Sequence, residues 1–487
     1  MSNLRPPRWT FASRVLPGVL LAMASFALGE APVGDLTIDC AHPSGSFRRL
    51  NGVNGGPIHG GETLDLSGRC RDLKIPLTRL HDCNWPNGDV VDIHAVFPDL
   101  NADPERPESY DFRRTDDYVQ AVVRTGSGIV YRLGESIEHS KRKYHVNPPA
   151  DPAEWASACV GIIRHYNEGW AGGFHDDIRY WEIWNEPENR PAMWTGTDAE
   201  FLALYAAAAK AIRQRVPGVR VGGPGFGNLG QTTGETLEPT PFARAFLDRC
   251  TADSLPLDFL SWHTYTNDPG KLVRRARAVR RWLDERGFTK TESQLNEWNY
   301  LPDNDWGPML AREPENRQRW FARIGGAEGA AFTAAALIRL QDAPIDAANY
   351  YSADTQGFGL FNEFGVPHKS YYAMKAFSTL CDTHARLQIR GQPPGRVAMA
   401  AGIDAGNKCV TVLASNFSGD EHHLRFRISE IPWSQGSRCD SCVLDDGHDL
   451  SPGEGRGMPP GDVDLEYGLP AASVLLATIK PDARRSE

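Results

Sequence analysis

Between residue 50 and about residue 355 the chain alternates two textures. Short, continuous runs of apolar, β-branched and aromatic residues give way to longer stretches whose apolar positions recur at helical spacing. The short runs end in LNGVNGG, LTRLHD, GIVYRLGES, YWEIWNEPE, VRVGGPGFG, FLSWHTYT, SQLNEWNY and AANYYSAD, eight in all. After the fourth, TDAEFLALYAAAAKAIRQRVPG opens with Thr197 and Glu200 as a capping box. It sets Leu204, Tyr205, Ala208 and Ile212 on one face and stops at Pro217 and Gly218. Strands apolar on both faces, each followed by a helix, predict a closed parallel (β/α)8 barrel over residues 50–382.

After residue 383 the helical period disappears. RVAMAAGIDA, CVTVLASNFS, HHLRFRISEI, RCDSCVLDD and ASVLLATIKP are short runs punctuated by Gly, Asp, Asn and Pro. They predict an all-β sandwich over residues 383–487. Within residues 30–49, LTIDC is a strand expected to join that sandwich, and SPGEGRGMPPGD at 451–462 reads as a loop.

The first 29 residues belong to neither unit. Arg5, Arg8 and Arg14 precede the apolar stretch VLPGVLLAMASFALG, and Ala27 and Gly29 suit a signal-peptidase site. Residues 1–29 therefore read as a cleaved signal peptide, with a secreted or periplasmic mature protein and no membrane segment remaining. Loss of its three arginines takes the net charge from −10 to −13. An acidic surface excludes nucleic acid as a partner. The densest basic run, KLVRRARAVRRW at 271–282, has Val273, Ala276 and Val279 at helical spacing, and is expected to be a solvated helix face. Nine cysteines leave at least one unpaired within the chain; Cys439 and Cys442, a lone C-x-x-C, suit a local disulfide or free thiols better than zinc.

In a barrel, chemistry sits where the strands end. Asn185 and Glu186 end the fourth run; Asn296, Glu297 and Trp298 end the seventh; Arg79 and His81, His263 and Tyr265, and Asp354 end three others. Two glutamates facing each other across a rim with Trp and Tyr are what hydrolysis of a glycosidic bond requires. One must be neutral to protonate the leaving oxygen, the other charged to attack the anomeric carbon. A single strand-end glutamate is equally at home in an ion pair with an arginine such as Arg190, and His81 and His263 could be satisfied core residues. Arg79 is expected to hold a carboxylate through a bidentate pair. GFGNLG at 225–230 matches a dinucleotide-binding pattern, but QTTGETLEPTP after it is not a helix, so no phosphate site is expected. No metal-binding, Walker or serine-hydrolase motif is present, and the reaction needs no metal or organic cofactor.

Asn-Glu after strand four, Glu after strand seven, R-x-H on strand two and H-x-Y on strand six resemble the clan of retaining (β/α)8 glycosidases. Within it, W-N-E-P-E, R-L-H-D and Y-Y-S-A-D…G-F-G-L-F-N resemble glycoside hydrolase family 39, which holds β-xylosidases and α-L-iduronidases. The resemblance covers about residues 50 to 380. It implies Glu186 as acid/base, Glu297 as nucleophile, and Asn185 as the partner of the sugar's 2-hydroxyl. His81, His263, Tyr265, Trp298 and Asp354 are expected to contact the substrate, with Arg79 as structural support. The iduronidase branch implies a lysine beside the strand-six histidine. Here Thr264 stands there, which points to a neutral sugar such as xylose. The acidic pair that β-xylosidases carry after the strand-eight aspartate is replaced by Thr355, Gln356 and Gly357. The expected activity is a retaining, exo-acting, β-xylosidase-like hydrolysis of oligo- or polysaccharide. An endo-acting exopolysaccharide glycosidase and a non-catalytic sugar-binding protein are the alternatives. Glu186 is expected to have a raised pKa from the charge of Glu297 and nearby tryptophans.

Overall fold

The computed structural model describes residues 36–59, 64–86, 88–310, 312–406 and 408–482; the expected signal peptide lies outside them. Eight parallel strands close into a barrel: β1 (Gly52–Asn54), β2 (Leu77–Leu80), β3 (Gly128–Leu133), β4 (Tyr180–Ile183), β5 (Arg220–Phe226), β6 (Phe259–Thr266), β7 (Glu292–Tyr300) and β8 (Ala347–Tyr350). Closure is made where Asn349 and Tyr350 pair with Gly52 and Val53. These are the eight runs read from the sequence. The helix Asp198–Arg215 begins at the Thr197–Glu200 capping box, with both reciprocal bonds formed.

A ten-stranded sheet draws its strands from both sides of the barrel sequence. The leading strand Leu36–Gly45 lies inside it, antiparallel to Ala385–Arg390 and parallel to His422–Ser429. The sheet folds over itself: Leu424, Phe426 and Leu465 share one core with Val410, Val412, Ala477 and Ile479. Its outer face packs on the barrel through the helices Ala327–Leu340 and Lys369–Cys381. The first is alanine-rich enough to let strand Cys409–Asn416 approach closely, and Ser415 Oγ donates to Ala331 O at 2.7 Å. Part of SPGEGRGMPPGD, read as loop, pairs at the sheet's edge as Asp449–Pro452 and Arg456–Met458. All nine cysteines are unpaired, Cys439 and Cys442 included. No described helix is long and apolar enough to cross a membrane.

Candidate active site

The C-terminal ends of the strands surround a cleft of about 1400 Å³ lined by His81, Asn185, Glu186, His263, Tyr265 and Glu297, among others. Consecutive strand residues normally point to opposite faces, and two backbone devices override this. At the end of β4, Trp184 and Glu186 have φ of 71° and 44°. This conformation is costly for non-glycine residues, and Asn185 and Glu186 both reach the cleft. In β7 the register with β6 slips: Trp262 faces Leu295, but His263 faces Glu297. That irregularity turns both Asn296 and Glu297 inward.

Two glycines make room for the first pair. A Cβ on Gly227 would lie 2.4 Å from Glu186 Oε1, and one on Gly225 would lie 2.9 Å from Asn185 Oδ1. The GFGNLG stretch therefore backs the carboxylate. A β-hairpin, Gly230–Thr233 with Thr236–Pro239, follows it.

Arg79, fully buried, joins the parts. Its Nε donates to Glu182 Oε2 at 2.7 Å, Nη1 to Glu297 Oε1 at 2.8 Å and Nη2 to Asn185 Oδ1 at 2.6 Å. It bridges two carboxylates and does not grip one bidentately as expected. Glu182 also accepts from Ser261 Oγ and Asn296 Nδ2. Asn185 lines the cleft, and among the described residues its amide Nδ2 donates no hydrogen bond. Glu297 Oε2 accepts the Tyr265 hydroxyl at 2.9 Å, so both its oxygens are aimed and held.

Glu186 has a different environment. Its Oε1 is 2.7 Å from His263 Nδ1, and Oε2 accepts from Asn189 Nδ2 at 3.0 Å. Burial pushes this carboxyl's pKa up, but the hydrogen bond and charge of His263 outweigh burial and hold it below the usual range. This corrects the raised value expected from the sequence: Trp184 and Trp298 are buried away from the cleft. Burial pulls His263 down, yet Glu297 and Glu186 together hold it above its ordinary value. Both shifts favour the ion pair, a Glu186 carboxylate facing a His263 imidazolium. His81 is the reverse case. Burial, with the charges of Arg79 and Arg132, drives its pKa well below normal; its Nδ1 accepts from Arg132 Nε at 3.2 Å.

Two expected sugar contacts are not at the cleft surface. Trp298 follows the inward pair in β7 and points outward, fully buried against Tyr350 and Phe332. Asp354 Oδ1 lies 2.8 Å from His59 Nδ1, and Oδ2 accepts from Gln356 Nε2 at 3.1 Å, so it braces its own loop. The cleft is lined instead by residues that sequence reasoning passed over: Asp82, Glu188, Trp306, Tyr351 and Phe358. The Tyr351 hydroxyl donates to Asp82 Oδ2 at 3.0 Å, linking the ends of β8 and β2; burial and the charge of Glu297 raise Asp82 to about 6. A signal existed for Glu182, the one charge inside the apolar run YWEIW.

Two described triads have oxygens and nitrogens close enough to share a metal ion, Glu186–His263–Glu297 and Asp92–His94–Glu135. Each already contains its own positive partner: Arg79 on Glu297 and Arg132 on Asp92.

Residues 93–281, which include Asn185, Glu186 and His263 but not Glu297, match the family described as Glycosyl hydrolases family 39. A β-xylosidase of Caldicellulosiruptor saccharolyticus is 26% identical over 362 residues, 67% of this chain and 66% of that protein. A β-xylosidase of Geobacillus stearothermophilus is 25% identical over 333 residues, 61% of each. The chain thus spans just under two thirds of the length of these curated relatives. The crystal structure of a glucosidase from Croceicoccus marinus is similar with a TM-score of 0.77 and 26% identity, covering 92% of this chain and 99% of that one. Residues 93–281 thus match glycosyl hydrolases family 39, and the chain as a whole is similar to two β-xylosidases and to a glucosidase of known structure.

Proposed function

We propose that this protein is a retaining glycoside hydrolase, exo-acting and β-xylosidase-like, with Glu297 as nucleophile and Glu186 as acid/base. One observation carries the reading: a carboxylate oxygen of Glu186 and one of Glu297 lie within 4.8 Å of each other at the mouth of the barrel. Retaining enzymes hold this pair about 5 to 5.5 Å apart, inverting ones about 6.5 to 9.5 Å, to admit a water. Glu297, aimed by Arg79 and Tyr265, attacks the anomeric carbon while the proton shared by Glu186 and His263 passes from Glu186 to the departing oxygen. Glu186 then takes a proton from the water that releases the sugar.

Among the described residues Arg79 is the only arginine in contact with Glu297, and its Nε, Nη1 and Nη2 all donate to protein partners. Thr264 stands beside His263. Both support a neutral sugar at the cleaved position, and the similarity to two β-xylosidases supports xylose. The cleft exceeds one sugar in volume and leaves room for units of the leaving group. The N-terminal pattern supports export to a secreted or periplasmic location.

The test separates the two glutamates. Glu297→Ala should lose turnover on every substrate, with azide restoring it to an inverted product. Glu186→Ala should give a burst on an activated aryl glycoside, followed by a phase slowed about 10² to 10⁴-fold and accelerated by azide with retention. Swapped responses would reverse the roles, and sugar binding without turnover by the wild type would end the enzymatic reading. A screen of aryl xylosides, glucosides and iduronides beside polysaccharides, with product lengths measured, tests the sugar and exo action.

A further inference from the structure

The helix Pro269–Glu285 after β6 carries five arginines and one lysine. Four of the arginines have acidic partners: Arg274 with Asp268 at 2.7 Å, Arg277 and Arg281 with Glu235 at 2.8 and 3.2 Å, and Arg280 with Asp284 at 2.8 Å. The other two cations, Lys271 and Arg275, form no ion pair among the described residues, and these are the two that line the catalytic cleft. The basic run expected to be a solvated face is therefore divided: one part is paired at the surface, the other turned toward the substrate.

Arg275 is only 7% exposed. Its Nη1 donates to Gly230 O at 2.9 Å and, more weakly, to Thr232 Oγ1 at 3.4 Å. Among the described residues Nε is buried with no partner and Nη2 makes no hydrogen bond. Burial, opposed by no carboxylate, lowers its pKa to about 10. Glu188, the acid on the same wall, accepts from the Asn228 amide at 2.7 Å and pairs with neither cation. Burying a charge without a counter-charge is costly, and here the cost falls on a side chain at the rim of the reacting centre.

The wall belongs to one side of the cleft. Gly230 and Thr232 follow β5, Lys271 and Arg275 follow β6, and the Glu188–Asn228 bond ties this wall to the loop that carries Glu186. An acid/base stands beside the oxygen that departs, so groups on its flank meet the leaving-group part of the substrate. Resting on the glycosidase reading above, we infer that Lys271 and Arg275 form an anion subsite for the leaving-group side. The substrate is an acidic glycan, cleaved between a neutral sugar and a unit bearing a carboxylate or sulfate. Arginine and lysine both form charge-assisted bonds to such groups.

The experiment uses disaccharides with the same cleaved sugar and three different leaving units: a uronic acid, its methyl ester and a sulfated neutral hexose. Wild-type kcat/KM should be roughly tenfold higher for an anionic member than for the ester, the gain of one charge-assisted hydrogen bond. Added salt should shrink that ratio. Lys271→Met and Arg275→Met should each bring it toward one. Lys271 is exposed, so its variant tests the idea even if the Arg275 variant fails to fold. Whichever of uronate and sulfate is preferred identifies the anion. An acid-to-ester ratio near one in the wild type, or one unchanged in Lys271→Met, overturns the inference. If the wild type cleaves none of the three, the glycosidase reading is what fails. Calorimetric titration with the uncleaved acid and ester then decides the subsite separately, with equal affinities counting against it.

Discussion

The imidazole of His263 holds the Glu186 carboxylate at 2.7 Å and stands 3.5 Å from Glu297, so one ring connects the acid/base to the nucleophile. On the proposed mechanism the leaving-group proton comes from this pair, in which the ring's pKa is raised and the Glu186 carboxyl's is lowered. The proton-bearing pair is therefore intact below the raised His263 value and lost as pH climbs through it. In His263→Asn the only carrier is Glu186, freed from the histidine but still buried, which deprotonates at lower pH than the imidazole did. The basic limb of kcat/KM should move to lower pH, and activity at neutral pH should fall roughly 10²-fold, most for poor leaving groups. An unmoved basic limb would show that the pair does not share its proton.

Among the described residues Arg79 is the only cation in contact with Glu182, and both side chains are fully buried. Arg79→Met leaves that carboxylate without its charge partner in the barrel core. Breaking a buried pair from one side costs about 3–5 kcal/mol, so the denaturant midpoint should drop steeply. Adding Glu182→Gln should recover part of the loss, which a double-mutant comparison of unfolding curves would read. Equal midpoints for wild type and Arg79→Met would refute the account.

Gly227→Ala places a methyl where Glu186 Oε1 now lies, 2.4 Å from the added carbon. The residue is exposed to the cleft and its φ is not positive, so the backbone tolerates alanine. Displacing the acid/base by about an ångström should lower kcat about 10²-fold with little change in Tm. A large fall in Tm would mean that the glycine serves the fold instead.

Trp298 and Trp306 should answer differently to substitution. Trp306 lines the cleft edge-on to Tyr265, with ring centroids 5.1 Å apart; Trp306→Ala should raise KM severalfold at nearly unchanged Tm. Trp298→Phe should lower Tm and leave KM alone. The reverse pattern, measured by steady-state kinetics and thermal unfolding, would return Trp298 to the substrate.

The barrel was legible because a strand buried on both faces must be continuously apolar, and the two glutamates stood out as charges where such runs stop. Side-chain direction was less legible. Trp298 looked like part of the site because it follows Glu297, but the register slip lies before Glu297, and ordinary strand alternation after it sends the two apart. Asp354 lies four residues past the end of β8, and His59, far away in sequence, draws it from the cleft. Helical spacing showed that Arg275 and Arg277 lie on one helix. It could not show that Glu235, on the preceding hairpin, neutralises only the second. The proton partner of Glu186 was similarly hidden, since a histidine on β6 reveals neither its distance nor its neighbours.

The leading strand has a consequence for how the molecule is made. Thr37 pairs with Arg390 on one side and Arg427 on the other, and Leu36 and Ile38 are fully enclosed by the sheet they complete. On a ribosome the first described segment to emerge must wait for nearly the last. Until then its apolar side chains stay uncovered while the whole barrel is synthesised between the two halves of one sheet. Contacts so distant in sequence form late, so the sheet acts as a clasp that shuts only after the whole barrel has been made. A ribosome-stalled chain ending before residue 385 would carry its opening strand without either partner, accessible to chaperones or proteases beside a barrel whose own strands are already complete.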